Sequence, residues 1–234
     1  MKPPYRHWLP WMVIGLSLII FDAQAASVSL GNVMPGTVIK KDVQSIRERR
    51  YENLVEQRTD FSCGAASLAT ILKYAYQLPS VTEESVLAGM LEVSDPELVR
   101  QQGFSLLDLK NYVERLGYRG RGYEVTPATL DEVSIPVIVL LDLDGYKHFV
   151  VMKKASGDRV YVGDPALGNR VMDRDDFMEA WNNIIFAVVG DGFDRSTVLL
   201  DPRQPLTAHR MRDVFAPVPQ QKLLDFGFRH AELF

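Results

Sequence analysis

The apolar pattern changes its period at Gly117, and that change limits the fold more than any other feature of the chain. Before it, apolar residues recur at helical spacing. Ser62 or Asp60 is placed to cap a helix from about Cys63 to Tyr76, in which Ala65, Leu68, Ala69, Leu72 and Tyr76 share one face. Thr82 caps a second helix, TEESVLAGML, and Ser105 with Asp108 forms a capping box for a third, SLLDLKNYVERLG, which Gly117 closes. Beyond Gly117 the chain reads as short β-rich runs: YRGRGYEV, IPVIVLLDL, HFVVMKK, RVYVGD and IIFAVVG. Asp-Gly, Ser-Gly-Asp and Leu-Gly-Asn turn signals separate them, and RDDFMEAWNN predicts a short helix between the last two. Helices followed by antiparallel strands around one core predict an α+β fold.

The ends have a different character. Lys2 and Arg6 precede an apolar run from Trp8 to Phe21, and Ala23-Gln24-Ala25 supplies a small-x-small cleavage pattern. Residues 1–25 are therefore expected to be a signal peptide, and the mature chain to work in a bacterial periplasm. The alternative is an anchor formed by residues 8–21, a run shorter than the roughly 20 apolar residues of a spanning helix and interrupted by Pro10. Residues 26–50 read as an N-terminal arm, with strand-like alternation in SVSLGNVMPGTVIK and a charged, helix-prone approach from Ser45. Residues 51–190 form the main domain, and the proline-containing stretch 191–234 a C-terminal extension whose Leu223, Leu224, Phe226, Phe228 and Phe234 favour packing over free disorder. The formal charge of −4 becomes one unit more negative once Lys2, Arg6 and Asp22 leave with the signal. No basic tract indicates a nucleic-acid partner.

An exported chain normally uses its cysteines in disulfides, yet Cys63 has no other cysteine to pair with. It stands at the predicted start of a helix, where the macrodipole and the unpaired amides favour negative charge. A nucleophilic cysteine also needs a base, and a group that orients the base. With His7 in the signal, His148, His209 and His230 remain. One cysteine and scattered histidines lack the spacing of a metal site, so no metal or other cofactor is expected.

His148 opens the run HFVVMKK, and Asp164 ends the run RVYVGD. If a three-residue loop, Ala155-Ser156-Gly157, joins the two runs as a hairpin, Lys154 faces Asp158 and His148 falls directly opposite Asp164. Opposed residues on one face lie about 4.5 to 5.5 Å apart at Cβ, near enough for a carboxylate to hold an imidazole. A two-residue loop shifts the register by one and sends the two side chains to opposite faces. The pairing therefore requires the three-residue loop, or a bulge with the same effect. Gln57, six residues before Cys63, is placed to donate to an oxyanion beside the Cys63 amide.

The stretch Gln57-x5-Cys63-Gly64-Ala65-Ala66, followed by HFVV and by Asp164-Pro165-Ala166-x-Gly168, resembles the bacteriocin-processing, double-glycine-leader cysteine peptidases of the papain-like clan. The resemblance covers about residues 50 to 190. It implies a papain-like α+β fold with Cys63 as nucleophile, His148 as general base, Asp164 as its orienting partner and Gln57 as oxyanion donor. The best-known members are domains of ATP-driven exporters. With an expected signal peptide and no transporter or ATPase segment in this sequence, ATP is not an expected partner, and the chain is more similar to free-standing exported members such as the protease encoded with bacterial functional amyloid fibres. The implied substrate is a peptide or protein, such as an exported fibre subunit or a secretion component. Two other readings keep the same residues: a peptide-binding module of a secretion or fibre-assembly system that cuts nothing, and an acyl transferase using the same triad.

Overall fold

The computed structural model describes residues 27–34, 37–42, 44–143 and 145–202. The expected signal peptide and residues 203–234 of the expected extension lie outside the described residues. The chain divides into two units, Met1–Gln44 and Ser45–Phe234. In the first, strands β1 (Ser27–Met34) and β2 (Thr37–Asp42) pair as an antiparallel hairpin, with Ser27 facing Asp42 and an irregularity between Leu30 and Met34.

The second unit opens with a cluster of helices. Helix α1 (Ile46–Arg50) starts in a capping box between Ser45 and Glu48. Helix α2 (Cys63–Ala75) is almost wholly buried, as its small and aliphatic residues allow. Helix α3 (Glu83–Leu91) begins at the Thr82 cap. Helix α4 (Pro96–Gln102) was not anticipated, although its Asp95 cap and its proline in the first turn are ordinary start signals. Helix α5 (Leu106–Arg115) begins at the predicted Ser105–Asp108 capping box, and Gly117 follows it with φ 89°.

The remaining elements are β3 (Arg119–Glu124), β4 (Val137–Leu143), β5 (Tyr146–Ser156), β6 (Arg159–Asp164), β7 (Gly168–Asp173), helix α6 (Arg174–Ala180) and β8 (Trp181–Val189). The strands make an antiparallel six-stranded sheet in the order β3-β8-β4-β5-β6-β7. Two sequence expectations change here. Strand β7 was not foreseen, because the polar run GNRVMD becomes a strand only through its pairing with β6. The helix predicted through Asn183 ends at Ala180: Trp181 is buried, pairs with Leu141 and starts β8.

Period-2 alternation gives the sheet two apolar faces. Ile138, Phe149, Val151, Phe186 and Val188 pack with Leu68, Leu72, Met90 and Leu109 of the helices. Val139, Leu141, Val150, Met152, Val162 and Ile185 pack instead with Leu130 and Phe177. Residues 191–202 return to the end of α2, where the Asp194 amide donates to the Ala75 carbonyl at 2.7 Å, the Thr197 hydroxyl donates to the Tyr74 carbonyl at 2.7 Å, and Leu199 is fully buried.

Candidate active site

Cys63 is the first residue of α2 and is buried. Ser62 occupies the cap position, but its side chain does not cap the helix as the sequence suggests. Its hydroxyl donates to the Thr59 carbonyl at 2.8 Å and accepts from the Thr59 amide at 3.3 Å. Among the described residues no side chain caps α2, and its leading amides, which lack intrahelical acceptors, point their positive ends out of the helix start. Two contacts seat this helix end against β5. A Cβ on Gly64 would lie 3.2 Å from the Phe149 ring, and the Ser67 hydroxyl donates to the Phe149 carbonyl at 3.2 Å. Phe149 follows His148, so both contacts fix the helix start beside the histidine.

His148 and Asp164 meet, but not through the predicted loop. The β5–β6 turn has two central residues, Gly157 and Asp158, between the paired Ser156 and Arg159. Gly157 takes φ 61°, as the first central position of a type II′ turn requires. Continued unbroken, this register would set Val151 opposite Asp164 and turn His148 to the other face. A β-bulge at Lys153 prevents that: Lys154 faces Tyr161, whereas Met152 faces Val162 and Val151 faces Gly163. One step further, Asp164 falls beside Val150, on the face of His148 and diagonal to it. The directly opposed pair expected from the sequence is corrected to this diagonal one.

His148 Nε2 lies 2.8 Å from Asp164 Oδ1, with both side chains buried. The same oxygen accepts from the amides of Ala166 at 2.9 Å and Leu167 at 3.1 Å, and Oδ2 accepts from Arg170 Nη1 at 3.4 Å. Burial works against the Asp164 carboxylate, yet the hydrogen bond and charge of His148, helped by the two amides, hold it below its ordinary range. Burial likewise works against the imidazolium. The hydrogen bond and charge of Asp164, with Cys63 close by, outweigh it and push His148 up to about 9. Because Nε2 is engaged by Asp164, the remaining ring nitrogen is Nδ1, which is buried and has no hydrogen-bond partner among the described residues.

Gln57 is joined to the same corner, since its backbone N–H donates to the carbonyl of Pro165, the residue after Asp164, at 3.0 Å. Its Oε1 is the other buried side-chain atom without a partner among the described residues. Leaving such an atom unpaired costs roughly 1–3 kcal/mol. Tyr51 adds a further tie, its hydroxyl donating to the Ala166 carbonyl at 2.6 Å. The sequence reading missed two neighbours. Arg170 reaches Asp164 across the β6–β7 hairpin, a contact hidden until β7 was placed. Tyr146 lies over His148, with ring centroids 5.8 Å apart at 25°, and its hydroxyl donates to the Asp60 carbonyl at 3.3 Å. Its position two residues before His148, hence on the same strand face, was an available signal.

A cysteine on a helix start facing a histidine and an aspartate from a sheet is the arrangement of a papain-like cysteine peptidase. Residues 51–191 match the model of the Peptidase C39 family, and the chain belongs to that family. It is a cysteine-type peptidase. It is 53% identical over 219 residues to the probable functional amyloid protease FapD of Pseudomonas fluorescens, spanning 94% of this chain and 96% of that one. It is 50% identical over 224 residues to the protein of the same name from Pseudomonas aeruginosa, spanning 95% and 99%. Among solved structures, a double glycine motif protease from an AMS/PCAT transporter, in complex with the leader peptide, is 27% identical with a TM-score of 0.49, covering 58% of this chain and 89% of that one.

Proposed function

We propose that this chain is an exported peptidase that cuts a protein component of a functional amyloid system, with Cys63 as nucleophile, His148 as acid and base, Asp164 as the orienting carboxylate and Gln57 as an oxyanion donor. The observation that carries the reading is the buried His148–Asp164 hydrogen bond at 2.8 Å, which leaves Nδ1 for Cys63. Similarity to the FapD proteases supports the amyloid link, and the signal-like residues 1–25 support work in the periplasm.

In this reading the Cys63 thiol gives its proton to Nδ1 of His148, and its sulfur attacks the scissile carbonyl carbon. The resulting oxyanion accepts from the uncapped amide of Cys63 and from the Gln57 side-chain amide. Collapse breaks the C–N bond as Nδ1–H of His148 gives its proton to the leaving amine. A thioester remains on Cys63. A water molecule then gives a proton to Nδ1 and attacks the thioester carbonyl; the C–S bond breaks, the sulfur takes the proton back from Nδ1, and the carboxylic acid product leaves with Cys63 and His148 in their starting state. Asp164 stays ionised throughout and keeps Nε2 engaged, so that Nδ1 keeps its aim.

The test compares the N-termini of exported proteins from cells carrying the wild-type chain or Cys63→Ala. A fibre component that is trimmed only with the wild type is the expected result. Identical N-termini in both strains would overturn the proposal.

A further inference from the structure

Lys153 is the bulged residue, and it is 4% exposed. Met152 and Ala155 belong to the same apolar cluster although they stand three positions apart along β5, which is allowed only because one residue between them is extra. The Lys153 side chain runs over β6 at Gly163, where a Cβ would come within 3.0 Å of its Cε. Its ammonium then donates to Asn169 Oδ1 of β7 at 2.7 Å and to the Asn53 carbonyl at 3.4 Å. Asn169 in turn donates from Nδ2 to the Glu52 carbonyl at 2.8 Å. These bonds join the bulge, the β6–β7 hairpin carrying Asp164 and Arg170, and the segment that leads to Gln57. Burying an ammonium is costly and is tolerated where its donors are held. Burial draws Lys153 down to about 8 against the opposing charge of Glu52.

We propose that Lys153 is a positioning residue: its buried ammonium clamps the β-bulge that sets His148 diagonal to Asp164 and ties that pair to the segment bearing Gln57. The inference rests on the catalytic reading of these residues. It differs from a packing role because the clamp acts on the His148–Asp164 bond, whereas loss of packing alone would lower stability and leave that bond intact.

The experiment uses the full chain, with the His148 titration followed by NMR and the alkylation of Cys63 by iodoacetamide followed at neutral pH. In Lys153→Met the His148 midpoint is expected to fall by about one pH unit or more from its value near 9, and alkylation to slow about tenfold. Asn169→Ala, which removes the acceptor while keeping the lysine, should give the same two changes, and the double variant should be no worse than either single one. An unchanged midpoint in the single variants, or losses that add in the double variant, would overturn the clamp. If Lys153→Met does not fold, the midpoint in Asn169→Ala decides alone. A His148→Ala control separates the two readings. If it leaves Cys63 alkylation unchanged, the catalytic reading fails, while the His148 midpoint in Asn169→Ala still tests the clamp.

Discussion

His148 and Asp164 are joined at 2.8 Å across a diagonal of the β5–β6 hairpin, and they share a face because one extra residue, Lys153, interrupts the ladder between them and the turn. The geometry of the site therefore depends on a local defect in the sheet. The carboxylate it presents is not a passive neighbour, since it accepts from the imidazole, two backbone amides and Arg170.

Asp164→Asn should lower kcat/KM by about 10²- to 10⁴-fold, because an amide holds the wrong imidazole tautomer. It should also shift the basic limb of the pH–rate profile. With the carboxylate gone, burial dominates and the imidazolium is lost well below the wild-type value of about 9. Wild-type kinetics and an unmoved basic limb in the variant would contradict this assignment.

Gln57→Ala should reduce kcat by about 10²-fold, in the range seen for loss of one oxyanion donor. The Gln57 backbone bond to Pro165 is retained, so KM and the unfolding midpoint should change little. Steady-state kinetics on a cleavable peptide, with thermal unfolding alongside, checks both parts.

Stability should carry the signature of the buried pair. His148 is raised in the folded state, so its contribution is full below its unfolded pKa near 6.5 and is lost as pH rises through about 9. Asp164 is lowered, so its contribution is present above its unfolded value near 3.8 and is lost as pH falls below that. Denaturant midpoints should be highest between these limits and decline on both sides. In His148→Ala the decline toward pH 9 should flatten.

Gly168→Ala should destabilise the domain by about 1–3 kcal/mol. Gly168 holds φ 85°, and a Cβ there would meet the Arg50 carbonyl oxygen at 2.8 Å. The turn from Asp164 to Gly168 would have to shift, so urea unfolding should show a lower midpoint and activity should fall with it. An Ala variant with the wild-type midpoint would show that the turn is more tolerant than its geometry implies.

Much of the site was legible because each part rests on local chemistry. The lone cysteine, the helix that starts at it and the histidine and aspartate at the near ends of two adjoining strands are all properties of short stretches. The helices that begin at Thr82 and Ser105 were legible for the same reason, since a capping box is a contact between residues three apart. Strand β7 and its Arg170 were not, because GNRVMD has no strand pattern of its own and gains one only by pairing with β6. Trp181 was assigned to a helix because the preceding turn is helical, whereas its burial and its pairing with Leu141 belong to the assembled sheet.

The sequence by itself determined which groups were available and roughly where each stood on its own element: Gln57, Cys63, His148 and Asp164, on an α+β chain. It also determined that the parity of one hairpin would decide whether His148 and Asp164 met. Only the tertiary structure decided how the parity was met, by a two-residue turn corrected by a bulge rather than by a three-residue loop. The physical reason is that a turn is chosen by local backbone preference, whereas a bulge is chosen by what the faces of the finished sheet must bury. Met152 and Ala155 require the same apolar side, and Lys153 finds its acceptors on β7 and in the segment before Gln57, which the sequence alone does not bring near it.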